Sequence, residues 1–465
     1  MKNRWFPLAV MALFLASCGE KPLDPVNPGG KTEPETPVDP VTPTVDPTGA
    51  KKGDVLPAWA EGWLDIHSIN GGRGESFYYI LPDGTTMLID AAGAPPHELA
   101  VTADPTNGGT PSRPSADISC GQVIVNYIKH FAPEVAGGKI DYFMASHYHG
   151  DHIGAWRDSW QTLYKWPLHP MGGFVVNGLP DVGTQIPIVK IIDRGDWGDA
   201  GGRCSADYID SGGKKRYQNY MKFVEWTKTA NGTVRETLEV GRNDQIVMLH
   251  HPEKYTNFSI RNVASSGDIW TGSGTGVNTT YVPSAAECKA HCAEWSISEN
   301  IYSIAVWLNY GPFDYFTGGD IQYSGKSSHS WKDIEKPIAA AVNKKIEVMK
   351  ASHHCTSNTN SPELTATFKP DVVIASNWNE VQPNPATVKR FQSANPNVRI
   401  FVTNMVDSNL KTLAGEGIPA SAFSSLSGHV VVRVAPSSGK YWIFVLDDSN
   451  EQYIIKDKFG PFTSK

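Results

Sequence analysis

The chain has 465 residues, a length that corresponds to one large domain or two medium ones. Apolar residues make up 40% and charged residues 19%, which allows a substantial core and excludes a wholly disordered chain. The net charge of −7 argues against a protein that binds nucleic acid through bulk positive charge, and six cysteines are too few for a disulfide scaffold.

The N-terminus predicts an export signal at residues 1–18. Lys2 and Arg4 precede an apolar run at 6–16 that is too short to span a bilayer. The run ends in Leu-Ala-Ser before Cys18, which resembles the lipobox of bacterial lipoproteins. That resemblance implies cleavage before Cys18 and acylation of its thiol. The alternative is an ordinary signal peptide whose cysteine is incidental.

A proline-rich segment follows at residues 19–53 and predicts an extended tether. A lipid anchor with a tether would hold the rest of the chain outside the cytoplasm on a bacterial membrane, at the periplasmic face or the cell surface. Residues 54–465 are left for one folded domain.

The folded region opens with short apolar runs at 63–69, 77–81 and 86–90, separated by turns rich in glycine and proline. Such runs predict an antiparallel meander. Residues 94–119 predict a loop, 122–131 an amphipathic helix and 140–145 a buried strand.

Four candidate metal ligands follow that strand: His147, His149, Asp151 and His152. In extended backbone, positions i and i+2 face the same side, so His147 and His149 can hold one ion. Asp151 and His152 come after a glycine turn and can face a second ion. Imidazole and carboxylate donors suit Zn²⁺, with Mn²⁺ or Fe²⁺ as alternatives.

The pattern His-x-His-x-Asp-His after an apolar strand resembles the signature of the metallo-β-lactamase superfamily. The stretches at 72–76, 81–85 and 88–93 resemble the start of the hydrolase domain of the bacterial competence DNA-uptake protein. That subgroup also includes enzymes similar to phosphorylcholine esterase. The motifs Phe-Thr-Gly-Gly-Asp at 316–320 and His-His within 348–357 follow in the same order.

The resemblance implies an α/β (α+β) fold, a four-layer αββα sandwich with two metals at one edge. Here the fold would be enlarged by long insertions near 156–245 and 260–298. The first segment is rich in tryptophan and tyrosine, and the second in serine, glycine and threonine. The aromatic residues would either shape the substrate pocket or form a further hydrophobic cluster.

The resemblance also implies roles for individual residues. His147 and His149 would bind the first metal, Asp151 and His152 the second, and Asp320 both. One of His353 and His354 would complete the second site while the other faces substrate, and the sequence leaves open which. Two residues would support the ligands from behind: Asp90, which matches an aspartate that orients the ligand loop, and Asn300, near the place of a third histidine.

Other residues offer alternatives. His250 and His251 end a predicted strand at 245–249, and His291 lies between Cys288 and Cys292 on a predicted helix at 285–295. For these we favour structural roles over metal binding. Cys355 stands where the subgroup has glycine and would either pack or touch the second metal; packing is favoured. The segment 382–385 lacks a histidine that the subgroup carries there. Residues 428–434, 440–445 and 452–455 predict a terminal meander on the second sheet.

The sequence therefore predicts a membrane-anchored di-zinc hydrolase of phosphoester or phosphodiester bonds, acting through a water shared by the metals. The catalytic candidates are Asp151, Asp320 and His354. The partner is a small-molecule or phosphoester substrate, and the oligomeric state stays open. Alternatives are an extracytoplasmic nuclease, which the acidic balance disfavours, a lactonase or β-lactamase, and a non-catalytic surface binding protein on this fold.

Overall fold

The computed structural model describes residues 48–93, 110–155, 166–197, 202–206, 211–324, 327–436 and 438–464. These residues lie within one compact unit, Val45–Lys465. The predicted signal peptide, Cys18 and most of the predicted tether lie outside the described residues, as does most of the predicted loop at 94–119. No helix in the described ranges is long and apolar enough to cross a membrane.

The described residues form eighteen strands, listed here in chain order: β1 Leu64–Ser68, β2 Phe77–Ile80, β3 Thr86–Ile89, β4 Ile140–Met144, β5 Ile188–Asp193, β6 Val234–Thr237, β7 Phe258–Ser265, β8 Asp268–Trp270, β9 Val277–Asn278, β10 Ala305–Tyr310, β11 Phe313–Thr317, β12 Val348–Lys350, β13 Val372–Ala375, β14 Arg399–Val402, β15 Phe423–Ser425, β16 His429–Val434, β17 Lys440–Leu446 and β18 Ile455–Thr463.

The α-helices of the same residues are α1 Cys120–Phe131, α2 Gly150–Ile153, α3 Leu179–Gly183, α4 Ser211–Asn231, α5 Ala285–His291, α6 Glu335–Val342, α7 Pro362–Phe368, α8 Pro385–Ala394 and α9 Asp407–Gly415. The predicted strands and helix between residues 63 and 145 are confirmed as β1 to β4 and α1, with ends shifted by one or two residues.

The strands form two mixed sheets of nine strands each. The first has the order β18-β17-β16-β1-β2-β3-β4-β5-β6, and the second β15-β14-β13-β12-β11-β10-β7-β8-β9. In the first sheet β3 to β6 run parallel, and in the second β11 to β15 do. The other neighbours are antiparallel. Parallel strands end on a common edge, so the loops after β3 and β4, and those after β11 and β12, meet.

Three apolar layers hold the sheets and helices together. Alternate residues of β3 divide between two of them: Met87 and Ile89 lie in the layer between the sheets, and Leu88 packs under the helices α1, α3 and α4. A third layer lies between the second sheet and the helices α6 to α9. The order helix, sheet, sheet, helix confirms the predicted four-layer αββα sandwich.

Three predictions about secondary structure are wrong. The C-terminal meander joins the first sheet, because β16 pairs antiparallel with β1. Residues 245–249 form no strand. The backbone of this segment forms hydrogen bonds with side chains and not with a neighbouring strand; for example, Leu249 N donates to Thr85 Oγ1 at 2.7 Å. The helix predicted at 285–295 ends at His291, where turns replace it.

The segments predicted as insertions partly belong to the sheets. β5 and β6 lie within 156–245 and extend the first sheet, while β8 and β9 lie within 260–298 at the edge of the second. Aromatic residues of the first segment, including Trp197 and Tyr220, are buried in the layer under α4. They form a hydrophobic cluster, which was one of the two interpretations of that composition.

Candidate metal centre

The candidate ligands converge at the common edge of the parallel strands. His147 to His152 lie on the loop and short helix after β4, and Asp90 directly follows β3. Asp320 follows β11 of the second sheet, and the His353-His354 pair follows β12. The site is therefore assembled from both sheets, and each ligand lies just past the carboxyl end of a strand.

One group contains four residues whose donor atoms all lie within 4.8 Å of one another: Asp151, His152, Asp320 and His354. Asp320 Oδ2 lies 3.2 Å from His152 Nε2 and 3.4 Å from His354 Nε2. Asp151 Oδ2 also lies 3.4 Å from His354 Nε2. Two imidazoles and two carboxylates form a four-donor set of the kind that zinc takes in proteins.

A second group shares Asp320 with the first and adds His147 and His149. His147 Nε2 lies 3.7 Å from Asp320 Oδ2 and 3.0 Å from His149 Nδ1. Within the described residues this group has three members, so a metal held here would leave a coordination position for water or substrate. The two groups contain all of the predicted ligands except His353, whose Nε2 also lies 3.7 Å from Asp320 Oδ2.

Asp90 forms hydrogen bonds with one candidate ligand and with the start of the ligand loop. Its Oδ2 accepts a hydrogen bond from His152 Nδ1 at 2.7 Å, which leaves His152 Nε2 to face Asp320. Its Oδ1 accepts from Ser146 N at 2.8 Å at the start of the ligand loop. Asp90 adopts a left-handed backbone with φ 61°. A carboxylate behind a histidine fixes the tautomer and the ring orientation that metal binding requires.

His354 is the buried member of the histidine pair, at 1% side-chain exposure. Its Nδ1 lies 3.1 Å from Ser376 O and donates to that carbonyl. The lone pair of Nε2 is thereby free to bind a metal, and Nε2 has no hydrogen-bond partner among the described residues. The ring of Trp378 packs edge-on against the imidazole of His354, with 4.2 Å between the ring centroids. Trp378 comes from the loop that ends near Gln382, where the subgroup's further histidine is missing.

His353 is the more exposed member, at 23% side-chain exposure. Its Nε2 lies 3.3 Å from Asn300 Nδ2 and 3.7 Å from Asp320 Oδ2. On the other side of the ring, Nδ1 lies 3.3 Å from Gln322 Nε2 and 3.0 Å from Thr356 Oγ1. His353 therefore borders the centre from its open side, next to Asn300, while His354 points into it.

The backbone that presents this pair is strained. His353, His354 and Cys355 are consecutive and all left-handed, with φ of 45°, 54° and 64°. A left-handed L-residue costs about 1–2 kcal/mol, so the surroundings must hold this turn in place. The Cys355 side chain is buried in the apolar layer under α6 to α9, and burial raises its pKa to about 12. It packs there and belongs to neither ligand group.

A buried ion pair beneath the centre escaped the sequence analysis. Lys350 Nζ lies 2.8 Å from Glu75 Oε2 and 3.7 Å from Asp320 Oδ1, and it donates to Gly319 O at 2.5 Å. Lys350, Glu75 and Asp320 have side-chain exposures of 1% or less. Lys350 therefore holds the face of Asp320 that points away from the histidines. Glu75 lies on the glycine-rich stretch at 72–76, which suggested a family resemblance but no partner.

A second buried pair braces the ligand loop. Arg194 Nε and Nη2 donate to the two carboxylate oxygens of Glu299 at 2.6 and 2.9 Å. The guanidinium lies over the ring of Tyr148, 4.8 Å from its centroid. Tyr148 separates the first two histidines of the loop, and Glu299 precedes Asn300. The two parallel hydrogen bonds of this pair restrict both side chains, so the pair holds the backbone near Tyr148 and near Asn300 in place. No sequence pattern marked the two residues as partners.

The electrostatics of the centre favour a bound cation. Burial opposes a charge on His152, yet Asp320 and Asp90 hold its pKa well above the ordinary value. Burial likewise opposes a charge on His354, and Asp320 raises its pKa to about 9. Asp320 Oδ1, like His354 Nε2, is buried with no hydrogen-bond partner among the described residues. Excess carboxylate charge and free donor atoms are what a divalent metal would satisfy.

The other histidines considered from the sequence lie elsewhere. His251 is exposed, and its Nδ1 lies 3.6 Å from Glu253 Oε1; His291 is partly exposed, and its Nδ1 lies 2.9 Å from Glu294 Oε2. Cys288 accepts a hydrogen bond from the hydroxyl of Tyr302. None of them, nor His250 or Cys292, is part of a metal-ligand group within the described residues.

No family model matches the chain, and no curated protein matches it. Among solved structures it is similar to Igni18, a metallo hydrolase from the hyperthermophilic archaeon Ignicoccus hospitalis, at 9% identity over 79% of this chain and 98% of that one, with a TM-score of 0.29. It is similar to an isothiocyanate hydrolase from Delia radicum gut bacteria at 11% identity over 78% of this chain and 95% of that one, with a TM-score of 0.32. It is also similar to a CmlA β-hydroxylase mutant at 10% identity over 80% of this chain and 54% of that one, with a TM-score of 0.33. Similarity at this level indicates nothing about substrate or reaction.

Proposed function

We propose that the protein is a metal-dependent hydrolase that cleaves phosphoester or phosphodiester bonds outside the cytoplasm. The observation that carries the proposal is the position of Asp320, whose Oδ2 is shared by two groups of donor atoms. Asp320 and the imidazole-containing groups on its two sides would hold a pair of metal ions, with zinc as the first candidate and manganese or iron as alternatives.

When bound, two such ions supply Lewis-acid polarisation of the substrate and lower the pKa of a water molecule. The chain's own residues place the reactants. Asp151 is 24% exposed, the most open carboxylate of its group, and is positioned to accept a hydrogen bond from the attacking water. His353 borders the same open side, with the buried Asn300 beside its ring, and can offer a hydrogen bond to the charge that develops on the substrate. The buried His354 is a ligand in this account, and His353 takes the substrate-facing role.

The choice of phosphoesters rests on resemblance between motifs. The stretch at 72–76 and the His-His motif within 348–357 are similar to a subgroup that includes phosphorylcholine esterase-like enzymes. A lactonase or β-lactamase activity would use the same centre, and so would a nuclease. For the membrane anchor and the extracytoplasmic location, the support is the composition of residues 1–53 with its cysteine at 18.

A substrate panel tests the reaction class. The purified chain, loaded with zinc, is incubated with bis-(p-nitrophenyl) phosphate, a phosphocholine ester, single- and double-stranded DNA, a lactone and nitrocefin. We expect turnover of the phosphoesters, its loss after treatment with a chelator, and its recovery on adding zinc back. Hydrolysis of only the lactone or nitrocefin would refute the phosphoester assignment. No turnover of any substrate by metal-loaded protein would favour the non-catalytic binding protein.

A further inference from the structure

A chain of buried hydrogen bonds links helix α6 to the turn that presents His354. It begins at Glu335, the first residue of α6, which is fully buried. One carboxylate oxygen accepts from Asn360 N at 2.6 Å and the other from Ser361 N at 2.5 Å. Both oxygens are therefore occupied by two successive backbone N–H groups, and the carboxylate fixes the position of that segment.

Asn360 passes this restraint on through its side chain. Its Oδ1 accepts from Ser352 N at 2.9 Å, and its Nδ2 donates to Ser352 O at 3.1 Å. One amide side chain thus holds both backbone groups of one residue, as a neighbouring strand would. Asn360 is itself left-handed, with φ 54°, a conformation that asparagine tolerates better than most residues.

Ser352 directly precedes the three left-handed residues, so its position sets where the turn begins. On the far side of the turn, Asn377 Nδ2 donates to His354 O at 2.7 Å. His354 is held between these two amide side chains, and its Nε2 lies 3.4 Å from both Asp151 Oδ2 and Asp320 Oδ2. A return of this turn to right-handed backbone would carry the imidazole away from both carboxylates.

We propose that Glu335 and Asn360 are positioning residues that set the metal affinity of the group formed by Asp151, His152, Asp320 and His354. Their hydrogen bonds go to the backbone and not to a candidate ligand. Glu335 holds the backbone of Asn360, and the side chain of Asn360 holds Ser352. The inference rests on the proposed function in one respect, that the centre binds metal. A residue with a purely structural role would lower thermal stability and leave metal affinity unchanged.

The test compares variants of the full chain by zinc titration against a chromophoric chelator, alongside thermal unfolding of the metal-free protein. Asn360→Ala removes both bonds to Ser352, and Asn360→Asp keeps the acceptor for Ser352 N. Glu335→Gln keeps the shape of the side chain and removes one of its two acceptors. The matched control is Asn343→Ala, because Asn343 is also a left-handed asparagine, with φ 43°, but is exposed at the end of α6 and away from the centre.

We expect Asn360→Ala to weaken one of two zinc sites by about 10–100-fold, the usual cost of losing a residue that supports a ligand. Asn360→Asp should recover part of that loss, and Glu335→Gln should weaken the same site. Asn343→Ala should lower the unfolding temperature alone. Wild-type affinity at both sites in Asn360→Ala and Glu335→Gln would overturn this inference alone. A wild-type chain that binds no zinc would overturn the proposed function and this inference with it.

Discussion

Replacing Asp320 with asparagine should remove metal from both groups at once. The variant keeps the side-chain shape but loses the negative charge that lies within 3.7 Å of four histidine Nε2 atoms. Because the loss of a supporting residue alone costs about 10–100-fold in affinity, the loss of a shared ligand should cost more than about 100-fold for each ion. Elemental analysis after dialysis, together with turnover of the best substrate, measures both effects.

The control for this variant lies on β11, the strand that precedes Asp320. Asp314 is a buried aspartate of β11 that accepts from Trp307 Nε1 at 2.7 Å and pairs with Lys344 at 2.5 Å, and it belongs to no ligand group of the described residues. Asp314→Asn should therefore change stability but leave metal content intact. If the Asp320 variant retained two metals per chain, Asp320 would not be the shared ligand and the two-group description would fail.

Asp65→Asn should have the largest effect on stability that the structure identifies away from the metal centre. Asp65 on β1 faces Arg433 on β16, and its oxygens lie 2.9 and 2.6 Å from the guanidinium nitrogens. Both side chains are 1% exposed. The variant breaks a buried ion pair by removing the charge of one partner, which typically costs about 3–5 kcal/mol of unfolding free energy. Urea unfolding at neutral pH measures the difference between variant and wild type.

The same pair predicts a dependence on pH. Burial opposes ionisation of Asp65, but Arg433 outweighs it and lowers the pKa to about 2 from the ordinary 3.8. The stabilisation from this carboxylate is therefore present above about pH 4 and is lost as pH falls through about 2. The difference in unfolding free energy between wild type and Asp65→Asn should therefore become smaller as the pH falls from about 4 to about 2.

The control for both effects is Glu61→Gln, at an exposed ion pair with Lys254, which should change the unfolding free energy by less than about 0.5 kcal/mol. An Asp65 effect no larger than this would show that the buried pair contributes little.

The sequence predicted those parts of the fold that local pattern determines. Short apolar runs bounded by glycine or proline correctly predicted β1 to β4, because the residues there both favour extended backbone and are buried in the core. The cluster from His147 to His152 was recognisable because its ligands are close in sequence and have no other common use. The same reasoning failed at 245–249, where an apolar run lies against side chains instead of a neighbouring strand.

Features that depend on distant partners were not predictable. β16 joins β1 rather than the second sheet, and nothing in 428–434 specifies that neighbour. Lys350 and Glu75 are ordinary residues until the fold brings them together beneath Asp320. His353 and His354 differ in exposure because of a left-handed turn, and nothing in the local sequence marks that turn.

Anomalous diffraction at the zinc edge, from crystals of the full chain grown with zinc, tests the central claim most directly. The account predicts two peaks on either side of Asp320, one next to His147 and His149 and the other next to His152 and His354. No peak in contact with Asp320, or zinc bound only at another site such as His291, would contradict it.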